Sequence, residues 1–162
     1  MKLRKLAPQD APLMLEWMHD PSVVGHLSTN FGEKTLEDCQ GFIAWANSTQ
    51  SDLHLAVADE ADTYMGTVSL KHIHNGTAEF AITVRAAAMG KGYAPYGMAA
   101  ILEMGIRKLG LDAIYWCVSR HNARAVRFYD KNNYLRTEAV PASIRDAYTP
   151  EQNADFIWYV YR

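Results

Sequence analysis

The chain has 162 residues, 49% of them hydrophobic and 21% charged, which excludes wholesale disorder and suits one soluble domain with a single core. A net charge of −2 argues against general nucleic-acid binding, and no apolar run approaches the length of a membrane span. The opening "MKLRKLAPQD" lacks the apolar segment of a signal peptide, and Cys39 and Cys117 match no zinc spacing, so the expectation is a cytoplasmic protein with free thiols.

Along the chain, "KLRKL" reads as a first strand, and Asp10 with Pro12 reads as the capped start of a helix that "DPS" ends near His19. "TLEDCQGFIAWANS" follows as a second helix, with Leu36, Cys39, Phe42, Ile43 and Ala46 at helical spacing. The period then changes to two. "LHLAVA", "YMGTVSLKHI" and "TAEFAITV" read as three antiparallel strands, with "HNG" as the hairpin signal between the last two. Residues 95–109 form a helix on the stripe Met98, Ile101, Leu102, Ile106 and Leu109, stopped by Gly110. "AIYWCV" is a dense, buried strand, and "SRHNARAVRFYDKNN" a helix capped by Asn122. "LRTEAV" and "ADFIWYVY" close the chain as strands joined by a polar loop. The order β-α-α-β-β-β-α-β-α-β-β predicts an α/β fold of one domain, a mixed and mostly antiparallel sheet of about seven strands flanked by four helices.

"MGKGYAPYG", residues 89–97, leads into the third helix with two glycines around a lysine and Pro95 in the first turn. The first amides of a helix have no internal partner and sit at the positive end of its dipole, so they attract anions. Gly90 and Gly92 let a phosphate approach bare backbone; a plain turn needing positive φ is the alternative. A Walker A loop is excluded because Tyr93 follows Gly92, and a dinucleotide fingerprint because Pro95 stands where the third glycine belongs.

The segment "VRAAAMGKGYAPYGMAAIL" resembles the acyl-CoA loop and helix of the GNAT N-acetyltransferases, whose pattern is Q/R-x-x-G-x-G/A. Met89 takes its first position, Gly92 the glycine and Ala94 the last. "VSRHNARAVRFYDKNNYLR" is similar to the family's next strand and helix, with Tyr129 to Tyr134 in place of its Tyr-x-Lys-x-Gly-Phe run. Asn133 replaces the glycine there, and asparagine tolerates the left-handed conformation. The order of elements agrees with the family fold over essentially the whole chain.

The resemblance implies transfer of an acetyl group from acetyl-CoA to a primary amine by direct attack, without a metal. It implies a phosphate cradle at Met89, Gly90, Lys91, Gly92, Tyr93 and Ala94, and a pantetheine arm on Ile82, Thr83 and Val84, one of whose amides would stabilise the oxyanion. Asn122 resembles a pantetheine-contacting asparagine, beside its reading as a plain helix cap. Tyr129 is the candidate proton donor to the departing sulfur, and Glu79 the candidate base. Trp17, Met18 and Phe31 fall where the family builds its acceptor pocket, and core packing accounts for Trp17 at least as well. His72 and His74 share a strand face without a third metal ligand. Residues 1–60 hold nine acids and four basic residues (−5), against nine and twelve (+3) in residues 61–162, a bias that suits a cationic acceptor. A small-molecule amine or a protein N-terminus would serve as acceptor, and strands near the C-terminus could pair two copies. The rival reading is an acyl-CoA sensor without turnover.

Overall fold

The computed structural model describes residues 1–25, 27 and 29–162. Strands form where apolar residues alternate: β1 (Lys2–Lys5), β2 (Leu53–Ala58), β3 (Tyr64–His74), β4 (Thr77–Val84), β5 (Ala113–Ser119), β6 (Leu135–Arg136) and β7 (Phe156–Tyr161). They make a seven-stranded sheet in the order β1-β2-β3-β4-β5-β7-β6. β1–β2, β2–β3, β5–β7 and β6–β7 pair antiparallel, and β4–β5 pair parallel. Both turn residues between β3 and β4, Asn75 (φ 48°) and Gly76 (φ 77°), take positive φ, as a tight hairpin of this twist requires. β2 and β4 match the alternating segments of the sequence end to end.

The helices are α1 (Ala11–Met18), α2 (Pro21–Val24), α3 (Leu36–Ala46), α4 (Tyr93–Arg107), α5 (Ala123–Lys131), α6 (Ala142–Arg145) and α7 (Pro150–Asp155). The four expected from periodicity are α1, α3, α4 and α5; α2, α6 and α7 are short additions. No helix among the described residues is long and apolar enough to cross a membrane.

The chain divides into two compact units, and β3, β4 and α4 each contribute residues to both. The first comprises residues 1–71 and 81–101. Its core gathers Leu6, Met14, Trp17, Cys39, Ile43 and Tyr64, with the faces of α1 and α3 turned inward. Thr35 starts α3 with a reciprocal cap, its hydroxyl taking the Asp38 N–H while the Asp38 carboxylate takes the Thr35 N–H. Gly97 of α4 lies so close to β2 and β3 that a methyl there would sit 2.7 Å from Val57 Cγ2 and 2.9 Å from Val68 Cγ1. The second unit comprises residues 72–80 and 102–162. One part of its core gathers Ala113, Tyr115, Val140, Ile144 of α6, Trp158 and Val160, with Cys117, Tyr148 and Phe156 packed against them. In another, Trp116 stacks on Tyr159 at 5.7 Å and meets Phe80 edge-on. β7 is an interior strand between β5 and β6.

Four local expectations change. Asp10 does not cap α1: its buried carboxylate takes two hydrogen bonds from Arg4 (2.8 and 2.9 Å) and one from the Ala7 N–H, satisfying a charge that would otherwise be stranded. "DPS" starts a helix as well as ending one, because Asp20 accepts the Ser22 N–H and Pro21 occupies the first position of α2. The strand expected over residues 135–140 is registered with β7 only at Leu135 and Arg136, with one further bond from the Thr137 N–H to the Trp158 carbonyl at 2.9 Å, before Thr137 turns its hydroxyl to the Ala139 N–H and Pro141 follows. The polar loop after it folds into α6 and α7, the latter opened by a Thr149–Gln152 capping box.

Candidate active site

In the first unit, β4 runs into the glycine stretch and then into α4. Gly90 and Gly92 have φ of 74° and 89°, which a residue with a Cβ rarely adopts. A methyl on Gly90 would meet no atom within 4 Å, and one on Gly92 only the Met1 side-chain tip at 3.6 Å, so the space outside this backbone is open. Tyr93 and Ala94 begin a helix of 15 residues, and the Gly92 carbonyl accepts the Tyr96 N–H at 3.2 Å. The amides preceding that bond point out of the helix start and can receive an anion. Met89 and Lys91 are exposed beside them. The chemistry of this donor set fits the pyrophosphate of a coenzyme.

The β4 ladder with β5 comprises Thr77, Ala78 and Glu79 with Ala113, Ile114 and Tyr115, so Ile82, Thr83 and Val84 lie beyond it and are half-buried. Ala81, Ile82 and Thr83 line a pocket of about 330 Å³, with Trp17 and Met18 of α1, Phe31, and Phe42 of α3 across from them. Trp17 is both core and wall: its indole N–H donates to Tyr64 Oη at 3.0 Å, and its ring meets Phe31 edge-on at 5.1 Å. Three polar side chains, His54, Thr67 and Ser69, complete the strand side of this pocket.

In the second unit, Tyr129 of α5 sits among Trp116, Phe128, Tyr134 and Tyr159, its ring centroid 5.0–6.3 Å from theirs. Burial, reinforced by Tyr159, Cys117 and Tyr134, pushes its phenol up to about 12. Asn133, after α5, has φ 62°, the left-handed conformation expected of it. The Asn122 side chain accepts the Ala125 N–H at 3.3 Å, which makes it the cap of α5 and leaves its amide N–H groups available to a ligand. Glu79 is buried, and its Oε2 accepts a short hydrogen bond from the Tyr148 hydroxyl. Burial, with Cys117 and Glu79 nearby, holds the Tyr148 phenol far above the ordinary tyrosine range.

The profile of the acetyltransferase (GNAT) domain matches residues 1–134. The chain belongs to the GNAT acetyltransferase family. It is an acyl-CoA-dependent N-acetyltransferase. No curated protein matches it in sequence. Among solved structures it is similar to the spermidine N-acetyltransferase of Vibrio cholerae in complex with CoA and spermine, with a TM-score of 0.80 at 18% identity over 99% of this chain and 94% of that one. It is likewise similar to the spermidine/spermine N-acetyltransferase from the same organism in complex with manganese ions, with a TM-score of 0.71 at 20% identity over 99% and 91%. These likenesses agree with the seven-stranded, mostly antiparallel sheet.

The sequence reading names the glycine loop, the end of β4 and Tyr129 as candidates, and it passes over the polar wall of the pocket. Alternation puts Asp52 and His54 on one face of the β2 segment. Ser69, however, joins them only through the β2–β3 register, which pairs His54 with Ser69. Tyr148, the partner of Glu79, lies in the polar loop that no periodicity described.

Proposed function

We propose that this GNAT enzyme transfers the acetyl group of acetyl-CoA to the primary amine of a small molecule, by direct attack while both substrates are bound. The pocket carries the reading. It adjoins Ala81, Ile82 and Thr83, and its aromatic walls can hold a small aliphatic cation by apolar contact and cation–π attraction. In this reading the segment Met89, Gly90, Lys91, Gly92, Tyr93 and Ala94 cradles the pyrophosphate; the Met89 and Lys91 amides already donate to the Ala86 and Ala88 carbonyls, so the N–H groups of Gly90, Gly92, Tyr93 and Ala94 make the contacts. Ile82, Thr83 and Val84 hold the pantetheine arm, with one amide facing the developing oxyanion, and Asn122 offers its amide N–H groups to the same arm. Acetyl-CoA supplies the activated acyl group.

Tyr129 gives its phenolic proton to the sulfur as the C–S bond breaks; a phenol raised to about 12 stays protonated across the working range of such an enzyme. Glu79 is a candidate to take a proton from the amine, although one of its oxygens is engaged by Tyr148. The structural neighbours are named for spermidine and spermine, which makes polyamines the first acceptors to test.

The experiment is thiol release from acetyl-CoA with polyamines, amino sugars, amino acids and a basic peptide bearing a free N-terminus. Release with a small amine, reduced at least about 100-fold by Tyr129→Phe, supports the reading. Release with the peptide alone moves the acceptor to a protein N-terminus. No release with any amine, while acetyl-CoA still binds by calorimetry, overturns the proposal.

A further inference from the structure

His54 lies on β2 opposite Ser69 on β3, and the two side chains meet across the strands with Nδ1 2.6 Å from Oγ. The other ring nitrogen, Nε2, stands 3.1 Å from Asp52 Oδ2. His54 and Ser69 are each 6% exposed, and both line the pocket that Ala81, Ile82 and Thr83 also line. The imidazole is wedged edge-on against Phe42 at 5.1 Å and tilted against Trp45 at 5.4 Å, so its rotation is restricted.

We propose that Asp52, His54 and Ser69 form a proton relay, with Ser69 Oγ, in place of the candidate Glu79, as the atom that takes the proton from the acceptor ammonium. The reading rests on a small amine occupying this pocket.

The hydrogen-bond arithmetic fixes the direction of the relay. A carboxylate only accepts, so Nε2 carries the hydrogen and donates to Asp52. In the neutral ring Nδ1 is then an acceptor, and the hydrogen between it and Ser69 belongs to Oγ. The remaining lone pairs of Oγ are left for the pocket. A proton arriving there passes on as Oγ–H moves to Nδ1, and the resulting imidazolium faces the Asp52 carboxylate. Burial lowers the His54 pKa below its ordinary value; Asp52 opposes that shift and Lys71 of β3 adds to it. The ring is therefore neutral and able to accept at physiological pH. Lys34 and Asp38, also on this pocket, bring one charge of each sign.

The step balances. The ammonium loses one proton to Ser69 as Ser69 loses its own to His54, which frees the nitrogen lone pair. That pair forms the C–N bond with the thioester carbonyl carbon, and the C–S bond breaks. The second amine proton offsets the one delivered to the leaving thiolate. The relay returns the first proton to solvent.

The test is the pH dependence of kcat, from pH 5.5 to 10, with acetyl-CoA and saturating amine, in wild type, Ser69→Ala and His54→Gln. Spermidine is the first amine, followed by the other classes of the panel. The expected wild-type profile is a plateau above an acid limb lying below about 6.5. In both variants kcat at pH 7 falls by about 100-fold, and the rate instead climbs roughly tenfold per pH unit, because each turnover then waits for an amine already deprotonated. KM for acetyl-CoA stays within about threefold in this outcome. Profiles in the variants that keep the wild-type shape, or losses confined to KM, overturn the relay and leave the amine reading standing. Wild type inactive with every amine removes both. Ser69→Ala deletes one oxygen and is checked by melting. If it fails to fold, the wild-type profile decides, and a rate that climbs roughly tenfold per pH unit through pH 7 with no plateau refutes the relay.

Discussion

The Tyr148–Glu79 hydrogen bond offers the sharpest energetic test of the second unit. Tyr148→Phe removes one hydroxyl while keeping the ring that packs edge-on to Phe156 at 5.1 Å and to Trp158 at 5.9 Å, so little area is lost. What goes is a donor to an acidic side chain that is 2% exposed. A hydrogen bond to a charged group is worth about 1.5–3 kcal/mol, and a buried acceptor left short of a donor adds to the loss. The expected destabilisation is about 2–3 kcal/mol. At roughly 2–4 °C per kcal/mol for a chain of this size, the melting temperature should fall by about 4–12 °C. Urea unfolding of wild type, Tyr148→Phe, Glu79→Gln and the double variant supplies the coupling. The double variant should be less destabilised than the two single losses summed. A Tyr148→Phe loss under about 0.5 kcal/mol, or additive single losses, would refute the reasoning. The same variants show whether Glu79 is a base. If it serves mainly to hold Tyr148, kcat falls in proportion in Glu79→Gln and Tyr148→Phe; a base loses far more in the first.

Gly97→Ala sets a methyl against Val57 and Val68 at 2.7 and 2.9 Å, and overpacking of that kind costs about 1–3 kcal/mol against about 1 kcal/mol gained in helix propensity. Urea unfolding should show a net loss of about 0–2 kcal/mol, and clear stabilisation would contradict the close approach. His54, whose pKa is lowered on folding, binds fewer protons than in the unfolded chain just below 6.5, so stability present above that pH is lost as pH falls through this window. Melting temperatures from pH 8 to 5 should therefore decline less steeply in His54→Gln than in wild type. With the Tyr129 phenol near 12, kcat should show no tyrosine limb at the ordinary value near 10, and stopped assays up to pH 10.5 will test this.

What the sequence made legible followed local rules. The alternation of residues 53–58 and 77–84, the Asn75–Gly76 turn and the left-handed Asn133 each depend on neighbours a few residues away. The helix misreadings share a cause. Proline reads as a breaker within a periodic stretch, but Pro21 and Pro150 each follow a capping side chain, Asp20 or Thr149, and open a helix. "TPEQ" carried the capping-box signature in plain view. Asp10 went the other way, taken from its cap by Arg4, six positions upstream and on another element. The polar wall of the pocket was illegible for a different reason. Its members lie on two strands, and only the strand register, a long-range property, brings His54 beside Ser69.

The placing of the tryptophans makes the pocket visible to fluorescence. Trp17, Trp116 and Trp158 are buried, whereas Trp45 is 46% exposed and stands 5.4 Å from the His54 ring. An imidazolium quenches indole emission far more strongly than neutral imidazole, so the red-shifted component from Trp45 should dim as His54 takes up a proton. The intact, unlabelled protein thus carries an optical pH electrode beside the pocket that His54 lines, calibrated by comparing Trp45→Phe with wild type.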